Sequence, residues 1–296
     1  MKLAQAPQLT ARKVLVYGPP KVGKTQLVGE LSKEFNLLWV DLENGYSTLF
    51  KLPQEQQDKI ELIALPDSRV YPIGIDTSLK MVKGLPGWID NETGKWITKE
   101  TEKKADKEYT HVHLNALDSS WIVVFDSLTQ LTNSAISHIT RNQPDDYKMQ
   151  FDDWGMLGKV MDMFLSQIQA AKYHVVCISH ETEADLEDGK TKLVPVAGTR
   201  NFSRNSAKYF SDVVYCQVAN KKHTFTSSTT GALNVIAGSR TDVVTEKMAT
   251  PSLIPMFHQK VEVPETNGQK ALGALATGSV TPARTPSSIL AGLKKG

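Results

Sequence analysis

Residues 14–31 read VLVYGPPKVGKTQLVGEL. The run Val14–Tyr17, a Gly- and Pro-rich turn, and apolar residues at helical spacing predict a strand, a tight loop and a helix. The turn carries G-x-x-x-x-G-K-[ST] as Gly18, Gly23, Lys24 and Thr25, in the strand-to-helix context this motif requires. Glycine at both positions lets main-chain N–H groups close around a phosphate that side chains would obstruct. Lys24 is a compact cation for the β- and γ-phosphates, and Thr25 offers a hydroxyl to Mg²⁺. Pro19, Pro20, Lys21 and Val22 complete the cradle and Gln26 follows it. The following helix adds its positive dipole end. The rival reading, a glycine turn with an exposed lysine, explains neither the spacing nor the flanking elements. ATP with Mg²⁺ is therefore the expected ligand.

Working outward, short apolar runs alternate with longer amphipathic stretches from Lys13 to about Ala237, the pattern of an α/β parallel sheet. Further strands are expected at Leu37–Val40, Glu61–Leu65, Trp121–Phe125, Val175–Ser179 and Val213–Val218. The clearest helix is Phe151–Lys172. Its apolar face runs through Trp154, Leu157, Val160, Met161, Phe164, Leu165, Ile168 and Ala171. Asp152 and Asp153 suit its first turn as dipole partners. Two polar stretches interrupt the core. Lys83–Tyr109 reads as an insertion with a hairpin around Asn91–Gly94, and Asp185–Thr199 as a second hairpin or loop. The organisation expected is an N-terminal extension over 1–12, suited to oligomer contacts, an ATPase domain over 13–250 with the insertion at 83–109, and a flexible tail over 251–296 rich in Pro, Thr, Ser, Gly and Ala.

A triphosphate site needs an acid to hold the metal shell, normally at the end of a buried strand. Trp121–Ser127, WIVVFDS, supplies Asp126, although an aspartate there also suits the cap of the next helix. Hydrolysis needs a group to orient and deprotonate water. In Leu37–Gly45, LLWVDLENG, Asp41 and Glu43 follow a strand whose carboxyl end lies on the ligand side of an open sheet. Glu43 is the expected general base; capping of the Asn44–Gly45 turn is the alternative for either acid. Val175–His180, VVCISH, ends a strand in His180, where a polar group can sense the γ-phosphate or simply make a local hydrogen bond.

In this order, VDLENG, VVFDSLTQL and VVCISH after GPPKVGKT resemble the RecA-like ATPases, and more narrowly the phage-encoded AAA/RecA-like ATPases, some of which anneal or recombine single-stranded DNA. The resemblance covers about Lys13–Ala249. It implies a RecA-like P-loop NTPase core of mostly parallel strands with helices on both faces. It also implies an ATPase stimulated by single-stranded DNA, assembly as a homo-oligomeric ring or filament, and cooperation with a single-strand-binding protein in a host bacterial cytoplasm. Two departures stand out: His180 occupies a place where recombinases commonly have Gln, and the Lys83–Tyr109 insertion lacks a counterpart in the minimal core. By the same resemblance DNA lies against loops near His138–Lys148 and Glu181–Lys208. The second offers Lys190, Lys192, Arg200, Phe202, Arg204 and Lys208, cations beside aromatics that suit phosphate contact and base stacking. Arg240 takes the place of a residue that reaches a neighbouring subunit's ATP.

The bulk numbers constrain little further. A formal net charge of +2 neither requires nor excludes a polyanion stripe. No run approaches the roughly 20 apolar residues of a membrane span, and the N-terminus lacks a signal-peptide core. Cys177 and Cys216 sit in apolar runs, against a disulfide or zinc framework. Two other readings stay open: a nucleotide-gated loader that docks a protein through the insertion or tail, and a small-molecule kinase with Arg200 and Arg204 in a lid.

Overall fold

Runs of Val, Ile and Leu build a central sheet buried on both sides. In chain order the strands are β1 Lys13–Gly18, β2 Asn36–Asp41, β3 Ile60–Ala64, β4 Gly87–Asp90, β5 Trp96–Ile97, β6 Tyr109–Val112, β7 Trp121–Asp126, β8 His174–Asp185, β9 Thr191–Pro195, β10 Asp212–Ala219, β11 Lys222–Thr226 and β12 Gly238–Ser239. The α-helices are α1 Lys24–Gly29, α2 Gln54–Gln57, α3 Ile73–Val82, α4 Leu128–Thr140, α5 Phe151–Ala170, α6 Arg200–Asn205 and α7 Ile254–His258. This computed structural model describes residues 11–65, 67–185, 191–220, 222–228, 234–240 and 251–258. No helix among the described residues is long and apolar enough to cross a membrane.

The main sheet has the order β11-β10-β1-β8-β7-β2-β3, with β12 added to β10 and β9 to β8. Neighbours from β10 through β3 are parallel, whereas β11, β12 and β9 pair antiparallel. This is the expected mostly parallel α/β sheet with helices on both faces. Alternation along each strand serves two faces at once. Leu15, Tyr17, Val123 and Phe125 point into a core shared with α4 and α5, while Val14, Val16, Ile122 and Val124 point into a second core with α1 and α7. Phe164 of α5 meets Phe125 edge-on at 5.2 Å. Truncating such a ring to alanine costs about 3–5 kcal/mol.

Several expectations change in detail. The long helix stops at Ala170, and Trp154, expected on its buried face, is 44% exposed because the first turn of α5 projects beyond the core. Asp153 completes a capping box with Gln150, as first-turn acids suggest. Strand β8 does not end at Ser179. It runs on to Asp185 because residues 181–185 pair with β9. The insertion is a folded three-stranded antiparallel sheet, order β5-β4-β6, that buries Ile89, Trp96 and Val112 against the main core. The flexible tail does not begin at 251: Leu253, Met256 and Phe257 are buried, and the Phe257 ring packs on Phe35 and His174. Nor is residue 12 a free extension, since the Arg12 N–H donates to His174 Nδ1 at 2.9 Å. The expectations for residues 1–10 and 259–296 lie outside the described residues.

Candidate nucleotide-binding site

The phosphate loop starts where β1 can continue only as glycine. Gly18 has φ +151, and a Cβ there would stand 2.1 Å from the Cys216 carbonyl oxygen of β10. Gly23, at φ +88, caps α1 in the left-handed region. His223 of β11 bonds through Nδ1 to the Val22 carbonyl at 2.9 Å, tying the β10–β11 hairpin to the loop. The Lys24 ammonium is buried and donates to the Gly18 and Pro19 carbonyls at 2.9 and 2.7 Å. Burial lowers its pKa, while the thiol of Cys216 and the carboxylates of Asp126 and Glu43 oppose the shift.

Three acids converge beside this loop because β2 and β7 are in register, Asp41 against Asp126. Asp126 is 3% exposed and accepts a hydrogen bond from Thr25 Oγ1 at 3.1 Å. Burial, with the nearby charges of Glu43 and Asp41, pushes its pKa up to about 7. The cap of α4 is not Asp126 but Ser127, whose Oγ accepts from the Gln130 N–H. That answers the capping alternative for Asp126. Asp41 takes the turn role instead, accepting from the N–H groups of Glu43, Gly45 and Tyr46. Its pKa is raised, burial outweighing those bonds. Asp41 thus shapes the turn that presents Glu43.

Glu43 accepts a hydrogen bond from the Ser127 hydroxyl, and its Oε2 lies 3.5 Å from His180 Nε2. Burial alone would raise the Glu43 pKa, but the bonds from His180 and Ser127 outweigh it and hold the carboxyl below its usual value. His180 sits opposite Gly18 in the β1–β8 register. Its N–H donates to Thr129 Oγ1 of α4 at 2.9 Å, and its carbonyl accepts from Val196 at the base of the β8–β9 hairpin.

These groups line a cleft of about 550 Å³ walled by Lys21, Lys24, Thr25, Glu43, Asp126 and His180. The lining fits a magnesium triphosphate. A buried carboxylate with a raised pKa, beside an aligned hydroxyl, is an oxygen-only donor set of the kind hard cations take. No cluster of three or more His, Cys, Asp or Glu able to hold a metal occurs among the described residues. Mg²⁺ is ordinarily held by one or two protein oxygens and completed by phosphates and water. Thr25 and Asp126 would hold it here.

The residues expected to meet DNA are not in this cleft. Arg200, Phe202 and Arg204 lie on α6 and Lys208 in the turn after it. Arg204 donates to the Asp185 carbonyl and to Asn201, and so leans on the β8–β9 hairpin. Phe202 stacks on Tyr209 at 6.0 Å and joins the core edge, which gives its ring a structural partner already. The Lys208 ammonium lies 4.8 Å from the Tyr209 ring centre. Lys192 is half-buried on β9, and Lys190 lies outside the described residues. The Arg240 N–H bonds to the Ser211 carbonyl, at the amino end of β10 and away from the phosphate end of the sheet. It is not part of this chain's own cleft.

Sequence reasoning missed His223, which lines the cleft and latches the loop. The signal was present: Asn220, in positive φ at 51°, follows the apolar run 213–218 and precedes the alternating KHTFT. That is a hairpin signature.

The profile of one protein family, described as an AAA domain (AAA_24), matches residues 10–241. No curated protein sequence matches the chain. Among solved structures, the crystal structure of the RadB recombinase is similar at 15% identity and TM-score 0.38, over 73% of this chain and 79% of that one. A prototypical ATPase from the type III secretion system of pathogenic bacteria is similar at 11% identity and TM-score 0.39, over 71% of this chain and 51% of that one. The chain thus spans about half the length of the secretion ATPase. The family match embraces the P-loop, the three acids and the β8 tip, and this chain belongs to the AAA domain family of P-loop ATPases.

Proposed function

We propose that the chain hydrolyses ATP and uses the nucleotide state to control a single-stranded DNA contact, in annealing or homologous recombination of the phage type. One observation carries the reading. His180 reaches Glu43 at 3.5 Å, and the same strand continues without a break into the hairpin on which Arg204 leans. A change at the γ-phosphate therefore has a short covalent path to a basic surface.

The loop N–H groups and Lys24 bind and orient the triphosphate. Thr25 and Asp126 would hold Mg²⁺, which would supply positive charge to offset the charge that develops on the phosphates. Glu43, ionised at neutral pH, takes the proton of the attacking water as its oxygen bonds to the γ-phosphorus and the bond to the β-phosphate oxygen breaks, ADP leaving with that electron pair. Ser127 and His180 hold the Glu43 carboxylate in position. Arg240, remote from its own cleft, acts only across an interface, so full activity requires a homo-oligomer, ring or filament. Arg200, Arg204, Lys208 and Lys192 supply phosphate contacts, and the resulting affinity falls steeply with salt. A second reading, a nucleotide-gated loader with a protein partner, is favoured by Phe151 at 90% and Trp154 at 44% exposure on the outer face of α5.

ATP turnover with and without single-stranded DNA, for the wild type, Lys24→Ala and Glu43→Gln, separates these readings. Lys24→Ala loses nucleotide binding; Glu43→Gln binds ATP but turns over at least about a hundredfold more slowly. DNA stimulates the wild type. Equal turnover with and without DNA, and no DNA binding at low salt, would defeat the DNA reading and leave the loader.

A further inference from the structure

Along the outward side of α5, Asp152, Gly155, Met156, Lys159 and Met163 follow one another at steps of three and four, so they share one line on the helix surface. All five are exposed. Phe151 stands almost fully open at the head of the same helix. Asp152 and Lys159 have no ion-pair partner among the described residues. Gly155 is the odd member of the line. A glycine inside a helix costs about 1 kcal/mol relative to alanine. Yet Gly155 has no positive φ, and nothing lies within 4 Å of the place its Cβ would take. Neither its backbone nor its neighbours in this chain call for glycine. A side chain arriving from outside does, because a Cβ would hold it off.

We propose that this face of α5 is a two-fold contact with a second copy of the chain. Asp152 and Lys159 are equally spaced about a point between Gly155 and Met156. An antiparallel copy of α5 turned about that point sets Asp152 of each helix opposite Lys159 of the other. It also lays Met156 of each over Gly155 of the other, which fills the open place. Met163 then reaches the head of the partner helix, within a turn of the partner's Phe151. One acid and one base make no basic footprint for nucleic acid. Placed symmetrically with opposite signs, they suit the chain itself. A two-fold contact closes at two copies, whereas the contact that carries Arg240 to a neighbour's cleft runs head to tail. The inference thus goes beyond the oligomer invoked above and does not depend on nucleotide. One helix face is small beside the roughly 1,600 Å² of a standard interface, so the dimer is weak and forms in roughly the micromolar range.

Sedimentation velocity of the full chain without nucleotide, from about 1 to about 100 µM, tests this. The wild type should move from monomer toward dimer as its concentration rises. Asp152→Lys and Lys159→Asp each set like charges opposite one another and should weaken the dimer at least about tenfold. The double variant exchanges the two signs and should restore it. Gly155→Leu, a better helix former, should keep or raise the melting temperature while abolishing the dimer, which separates a blocked contact from a damaged fold. Met156→Cys should cross-link two copies on oxidation with copper phenanthroline, whereas the wild type, with Cys177 and Cys216 buried, should not. A wild type that stays monomeric throughout would overturn the contact, as would equal association in either single charge variant. A double variant no better than the singles would overturn it too. If Lys159→Asp lowers affinity for single-stranded DNA and leaves association alone, the face belongs to nucleic acid instead.

Discussion

Asp126 and Asp90 each end a β-strand and are each nearly buried, at 3% and 7% exposure, yet the fold treats them oppositely. Asp90 is satisfied from within. The N–H groups of Glu92 and Thr93 reach it at 3.0 Å and the Lys107 ammonium at 3.1 Å. Burial alone would raise its pKa, but those bonds outweigh it and hold the carboxyl below its usual value. Asp126 receives one hydroxyl bond, faces two further acids, and has its pKa pushed up to about 7. A carboxylate that the fold completes is a structural element of a turn. A carboxylate that the fold leaves incomplete is a socket for a cation from outside.

Replacing each acid by its amide gives the sharpest contrast. Asp126 titrates near 3.8 when unfolded and about 7 when folded. Between those values the native state holds a proton that the unfolded chain has lost, so stability falls as pH rises through that window. By pH 8 the whole penalty is present, on the order of 4 kcal/mol from the size of the shift. Asp126→Asn should therefore melt several degrees higher than the wild type at pH 8, with no gain at pH 3, while ATP turnover drops at least about a hundredfold. A lower melting temperature for Asp126→Asn at pH 8 would break the comparison at its root.

The same titration governs ligand uptake. A cation needs Asp126 ionised, so below pH 7 each magnesium-nucleotide bound must displace a proton. Affinity should fall toward tenfold per pH unit below 7 and level off above it, beyond what titration of the nucleotide's own phosphates explains. Tripolyphosphate titrations of wild type and Asp126→Asn at several pH values provide the correction. Asp90→Asn should do the reverse of Asp126→Asn. With its folded pKa depressed, Asp90 contributes stability above pH 3.8 that fades as pH falls through the lower, folded value. The amide should cost about 1 kcal/mol at pH 7, read as a lower urea midpoint, and leave turnover unchanged. A stabilised Asp90→Asn would mean that Lys107 contributes nothing.

The different legibility of the two regions has the same origin. Gly18, Lys24 and Asp126 are set by local rules: a turn that only glycine allows, a spacing, and an acid at the end of an apolar run. The strands that bear them could be read because a sheet buried on both faces demands continuous apolar runs. The insertion reads as polar because its strands are too short to show a run or an alternation and sit among charged residues, so Ile89 and Trp96 look like isolated residues. The hairpin that bears His223 is locally readable, but the bond of His223 to the phosphate loop spans 201 residues of chain, and no local pattern encodes that. Trp154 misleads for the converse reason: helical spacing gives the face, but not how far the core extends along it.

The smallest effect expected concerns His180, and it bears on whether Glu43 belongs with the completed acids or the incomplete ones. Glu43 is intermediate: burial raises its pKa, and bonds from His180 and Ser127 more than offset that. Removing the imidazole in His180→Ala takes away one of those bonds but leaves Ser127. The Glu43 pKa should then rise, and the acidic limb of the turnover profile, which reports ionisation of the base, should move to higher pH. Well above that limb, at pH 8, Glu43 remains ionised and turnover should stay within about threefold of wild type, the scale of one lost hydrogen bond to a group that keeps another. His180→Gln, which restores a donor, should return the limb toward its original position. If His180→Ala instead loses as much turnover at pH 8 as Glu43→Gln, the imidazole takes part in the chemistry itself. It would then no longer act only by completing a neighbouring acid.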